Sequence, residues 1–197
     1  MRKLLLAGAV LMMTACFNYT SVMKIEPDGR GTLKMKVDVP YTKKVPIKIE
    51  GFEPGHTFGA GWHTTAISVD TLDTIRAYRL EGRFDSISAI PNLLGDESLL
   101  ILKEESEAGS ARCHLSRTYF SSKERANIKS MKSLVKTLIG YNPDSYAGMW
   151  REKIVVPGRI IKHNATRQKG DTLIWECRTV DVLEKGLIME ASWEVSP

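Results

Sequence analysis

Leu33, Met35, Val37 and Val39 alternate strictly with Lys34, Lys36 and Asp38, and this period of two constrains the fold more than any other feature of the sequence. A chain patterned this way turns one face to a core and the other to water as a β-strand. Tyr19 to Glu26 alternates in the same manner just upstream. Between the two runs, Pro27-Asp28-Gly29-Arg30-Gly31 puts Pro and Gly where a tight turn needs fixed and positive φ. A β-hairpin is therefore expected to open the domain.

Strand character returns at 65–70 and 74–84, and again at 98–105 and 112–120 across Glu107-Ala108-Gly109-Ser110. The chain finishes with strand patterns at 150–156, 159–163, 172–178 and 187–195. Asp85 to Ile90 reads as a short capped helix. The Gly-rich, aromatic stretch Phe52–Trp62 reads as a loop, either a lip over an apolar cavity or a plug at the end of the sheet. One long helix is expected at 122–139, closed by Gly140, because Ile128, Met131, Leu134, Val135, Leu138 and Ile139 recur at spacings of three and four. With 197 residues, no repeat and no visible linker, the expected fold is one α+β domain, mostly antiparallel.

The N-terminus follows a different logic. Arg2 and Lys3 precede the uncharged apolar run Leu4–Met13, which is about half the length that crosses a bilayer. Small residues then follow, as a cleaved signal peptide requires. Met13-Thr14-Ala15-Cys16 resembles the bacterial lipobox, whose cysteine receives a diacylglyceryl group and becomes the first residue after cleavage. Residues 1–15 are thus expected to be a signal peptide and 16–197 the domain, with Cys16 as the lipidation site. Each buried methylene contributes about 0.8 kcal/mol, so two or three acyl chains hold a protein permanently. Phe17 follows the cysteine, not the Asp that marks inner-membrane retention. In a cell with two membranes this resembles an address on the periplasmic face of the outer membrane.

Cleavage before Cys16 removes Arg2 and Lys3 and no acid, leaving 26 basic against 23 acidic side chains, a net charge of +3. That mild charge gives no footing for nucleic-acid binding. No metal site is expected: His56, His63, His114 and His163 form no close pair, and Cys113-His114 on a strand would point to opposite faces. No G-x-S-x-G elbow and no phosphate-binding loop is present, so no catalytic residue and no cofactor is assigned, and a non-enzymatic protein is expected. Cys113 and Cys177 remain as an even pair in an oxidising compartment, either bonded across two sheet regions or buried as two thiols. Arg125, Lys129, Lys132 and Lys136 form a second stripe on the expected helix. A solvent-facing helix surface is the commoner source of such a pattern; against anionic headgroups each cation would contribute about 1 kcal/mol.

The C-terminal stretch EKIVVPGRIIKHNATRQKGDTLIWECRTVDVL carries a further signal. Its Pro157-Gly158, Asn164, Gly170 and Trp175 are similar to a PG…N…G…W pattern of LppM-like bacterial lipoprotein domains. The hairpin turn Asp28-Gly29-Arg30-Gly31 soon after a lipidated cysteine and the junction Phe84-Asp85-Ser86 resemble the same family. The resemblance implies a curved sheet packed against one long amphipathic helix, anchored outside the cell membrane and binding lipids or other amphiphiles. It brings no catalytic residues. A structural or assembly factor engaging an envelope protein partner is the expectation of a different class.

Overall fold

The computed structural model describes residues 17–41, 49, 51–53, 55–91, 98–105, 110–120, 122, 125–126 and 148–195. Eleven strands are described: β1 Asn18–Ile25, β2 Gly31–Pro40, β3 Trp62–Leu72, β4 Ile75–Phe84, β5 Ser98–Glu105, β6 Ala111–Tyr119, β7 Met149–Val155, β8 Arg159–His163, β9 Arg167–Lys169, β10 Thr172–Arg178 and β11 Leu187–Val195. A single 3-10 turn spans Ile87–Ala89, and helix α1 spans Thr179–Lys185. The strands form a seven-stranded sheet in the order β3-β4-β2-β1-β7-β10-β9 and a four-stranded sheet in the order β5-β6-β11-β8.

The opening hairpin forms as its alternation dictates. β1 and β2 pair antiparallel from Asn18 opposite Asp38 to Ile25 opposite Gly31. Leu33, Met35, Val37 and Val39 are buried, whereas Lys34 and Lys36 reach outward to Glu81 and Asp38. β1 pairs parallel with β7 on its other side, so the first strand lies in the middle of the large sheet. Every other strand pairing is antiparallel.

The α+β class expected from sequence is corrected to a mostly β architecture. Among the described residues the inner face of the large sheet is covered by the second sheet. Tyr119 of β6 packs edge-on against Tyr19 of β1 and Trp150 of β7, and residues of both sheets share one core. Two sheets that bury facing apolar rows satisfy each other, with about 10 Å between them. The one α-helix described over its whole length, α1, has seven residues. The helix expected at 122–139 falls almost wholly outside the described residues, of which Ser122, Arg125 and Ala126 are helical. Among the described residues no helix is long and apolar enough to cross a membrane.

The loop 52–62 behaves as a plug. Phe52 is fully buried, edge-on to Tyr78 at 5.4 Å, and Phe58 meets the buried Trp62 at 6.0 Å.

Candidate functional site

The domain is gripped at the point where its chain begins. Phe17, the residue after Cys16, is 4% exposed and stacks on Trp150 at 6.1 Å. Its carbonyl accepts a hydrogen bond of 2.8 Å from Thr179 Oγ1 at the start of α1. Asn18 Oδ1 accepts one of 2.9 Å from the Met149 backbone N–H. Gly148 comes so close that a Cβ there would stand 2.3 Å from the Phe17 carbonyl oxygen, which only glycine permits. Two distant pieces of chain, residues 148–150 and the start of α1, thus converge on the first described residues.

Inward from this end lies a polar and aromatic cluster between the sheets. Strand registers place Tyr78, Val37, Tyr19, Trp150 and Cys177 in one row across the large sheet. The next inward row is Leu80, Met35, Ser21, Glu152 and Trp175. Tyr19 stacks on Trp150 at 4.1 Å, and its hydroxyl lies 3.2 Å from that of Tyr119. The Tyr119 hydroxyl donates to Glu152 Oε1. From the facing sheet Arg117 approaches the same oxygen at 3.8 Å and lays its guanidinium over the Tyr119 ring at 4.4 Å. Ser21 and Glu152 are 0% exposed and Arg117 1%. A carboxylate and guanidinium this deep hold each other in place, because removing either would leave an uncompensated buried charge. Ser21 Oγ, Glu152 Oε2 and the Trp150 indole N–H have no hydrogen-bond partner among the described residues, so the cluster keeps unused polar capacity amid aromatic rings.

The residues singled out from sequence fare differently. Cys16 lies outside the described residues. Cys113 and Cys177 both remain thiols. Cys177 stands opposite Trp150 in the large sheet, whereas Cys113 stands opposite Trp193 in the other. Tyr119 meets Trp150, and Cys113 lies six residues back along β6, about 20 Å at the rise of a strand, so the pair is not brought to bonding distance. Burial, and then the neighbouring Asp181, Glu152 and Glu176 carboxylates, push the Cys177 thiol up to about 11. It stays protonated near neutral pH and is a poor nucleophile. Arg125 turns onto the body of the domain, donating to the Lys185 carbonyl at the C-terminal end of α1, where a cation suits the helix dipole. Lys129, Lys132 and Lys136 lie outside the described residues. Tyr119 at the end of β6 meets Trp150, and Gly148, where the described chain resumes, lies beside Phe17.

Among the described residues no three His, Cys, Asp or Glu side chains group in a manner that would hold a metal ion. The cluster around Glu152 was not visible in the sequence, because its members come from β1, β6 and β7 and meet only through long-range pairing. A buried Glu at a strictly inward position of an alternating strand, Trp150-Arg151-Glu152-Lys153-Ile154, was its one local signal.

The chain matches no protein-family model and no curated protein. Among solved structures it is similar to the NMR structure of the folded domain of Mycobacterium tuberculosis LppM, with a TM-score of 0.50 and 10% sequence identity over 93% of this chain and 92% of that chain. At that identity the likeness is one of fold.

Proposed function

We propose that this chain is a bacterial envelope lipoprotein, cleaved before Cys16, acylated there, and working by binding an amphiphile or the membrane surface, not by catalysis. The observation that carries the reading is the fixing of Phe17. A lipidated Cys16 would be one peptide step, about 3.8 Å between Cα atoms, from a residue buried in the core. The domain would then rest against the bilayer with almost no tether. The LppM-like fold agrees with an envelope protein, and Phe17 in place of Asp favours the outer membrane where there are two. The cluster of Ser21, Glu152, Trp150 and Tyr19 supports an amphiphile, since spare polar atoms lie among rings that suit an apolar chain.

Native mass spectrometry of the protein extracted from its own membrane tests this. The expected result is a diacylglyceryl group on Cys16 and a further bound amphiphile that Ser21→Ala, which strands no buried charge, holds less tightly. Absence of any lipid beyond the anchor removes the ligand reading, and an unmodified Cys16 removes the anchor.

A second reading, an assembly factor for a protein partner, has one observation in its favour. β3 is an edge strand of 11 residues, largely exposed along its length, which is the form that accepts an added strand.

A further inference from the structure

We infer that the tip of the β3–β4 hairpin, Leu72 to Arg76, is a second membrane contact that seats the anchored domain on the lipid headgroups; this rests on the lipidated reading of Cys16. The strand registers locate the tip. Asn18, Asp38, Ala77 and Asp70 form one row across β1, β2, β4 and β3. Pro40, Ile75 and Leu72 lie two residues beyond that row, on the side from which the chain enters from Cys16. At the rise of a strand this is about 7 Å further out, with Leu72 about 14 Å to the side of β1. The hairpin therefore projects past the start of β1 toward any bilayer that holds Cys16.

The chemistry of the tip suits that position. Leu72 and Ile75 face each other across a two-residue turn and are 65% and 43% exposed, two of the five exposed large hydrophobics among the described residues. Behind them the Arg76 guanidinium sits 4.3 Å over the Tyr41 ring, and the Tyr41 N–H donates 2.7 Å to the Thr74 carbonyl. Tyr and Arg together are side chains of the membrane–water boundary, apolar along the body and polar at the tip. Asp70 is paired with Arg79, Arg76 Nε donates to Thr71 Oγ1 at 3.3 Å, and Asp73 adds a carboxylate at the turn. The Asp73 carboxylate bars entry into hydrocarbon and sets the depth at the headgroups. An apolar pair flanked by Tyr41, Arg76 and Asp73, on the side from which the chain enters from Cys16, fits a lipid surface.

Hydrogen exchange on the acylated full-length protein in vesicles of phosphatidylethanolamine and phosphatidylglycerol tests this, after the mass of the N-terminal peptide has been recorded. The amides of Asp73 and Thr74 should exchange several-fold more slowly on vesicles than in the Cys16→Ser protein free in solution. L72E/I75E should restore the solution rate and L72S/I75S should restore part of it, with the rest of the exchange pattern unchanged. Equal rates for the vesicle-bound and free proteins overturn the inference while leaving the anchor intact. Slowing that appears in the Cys16→Ser protein as its concentration is raised means a second copy covers the tip, and also overturns it. An N-terminal peptide without lipid overturns the anchor and the inference together.

Discussion

Asn164 shows how one side chain can join two sheets. Its Oδ1 accepts from the Trp175 indole N–H and from the Glu190 N–H, each at 2.8 Å, and its Nδ2 donates to the Ile188 carbonyl at 3.0 Å. Trp175 belongs to the large sheet and Glu190 and Ile188 to the small one, so the side chain rivets them together. The bond between Asn164 and Trp175, eleven positions apart, is invisible in the sequence until β10 and β11 are placed. Gly158 has a similar status: with φ +119, and a would-be Cβ 2.0 Å from the Glu194 carbonyl oxygen, it admits no side chain. Asn164→Ala strands the indole N–H of a buried Trp and should lower stability by about 1–3 kcal/mol, read as an earlier urea midpoint at unchanged slope. Asn164→Asp keeps the acceptor and loses only the bond to Ile188, so it should cost less. Equal losses for the two would assign the stability to the turn and not to the rivet.

At the scale of elements, alternation made most strands legible, since each needs only its own inward and outward rows. What stayed hidden depends on partners far along the chain. The parallel pairing of β1 with β7 joins residues more than 120 positions apart, from Tyr19 with Trp150 to Lys24 with Val155. The division into two sheets is likewise a matter of which strands meet. α1 was unassigned for a local reason: it has two turns, β-branched residues at Thr179, Val180 and Val182, and no side-chain cap from Arg178. Its buried Thr179 and Val182 dock it, and Asp181 in the first turn accepts from Arg178 Nε at 2.7 Å and Lys185 Nζ at 2.9 Å. Those two bonds hold its carboxyl down to about 2, against an ordinary 3.8. A carboxyl lowered by folding stabilises the folded chain above its ordinary value, and that contribution is lost as pH falls from 3.8 through about 2. Across this window the native protein should lose stability more steeply than Asp181→Asn in urea titrations. Parallel pH profiles for the two would mean that the Asp181 contacts do not act in the folded state.

For the molecule as a whole, the proposed anchor and the proposed hairpin contact would have effects that neither has alone. Leu72 and Ile75 are already partly covered, so seating them in the headgroup layer contributes about 1–2 kcal/mol each. That is far too little for a free domain to bind vesicles. With Cys16 acylated, a tether of one residue would raise the effective lipid concentration at the tip to the millimolar range or above, where so weak a contact is occupied. The acylated protein should therefore lie flat against the bilayer, and neutron reflectometry on a supported membrane should show protein beginning at the headgroups without a hydrated gap. Inserting ten Gly/Ser residues between Cys16 and Phe17 adds a mean reach of about 17 Å. With the tip intact, the lengthened protein should divide its time between seated and lifted states. With L72E/I75E as well, it should lift away and open a water-rich layer on the scale of that reach. A gap already present under the native protein would break the link between the buried Phe17 and membrane contact. No gap in the lengthened L72E/I75E protein would mean that another surface holds the bilayer, and the segment that leaves β6 at Tyr119 and returns at Gly148 beside Phe17 would be the first to substitute.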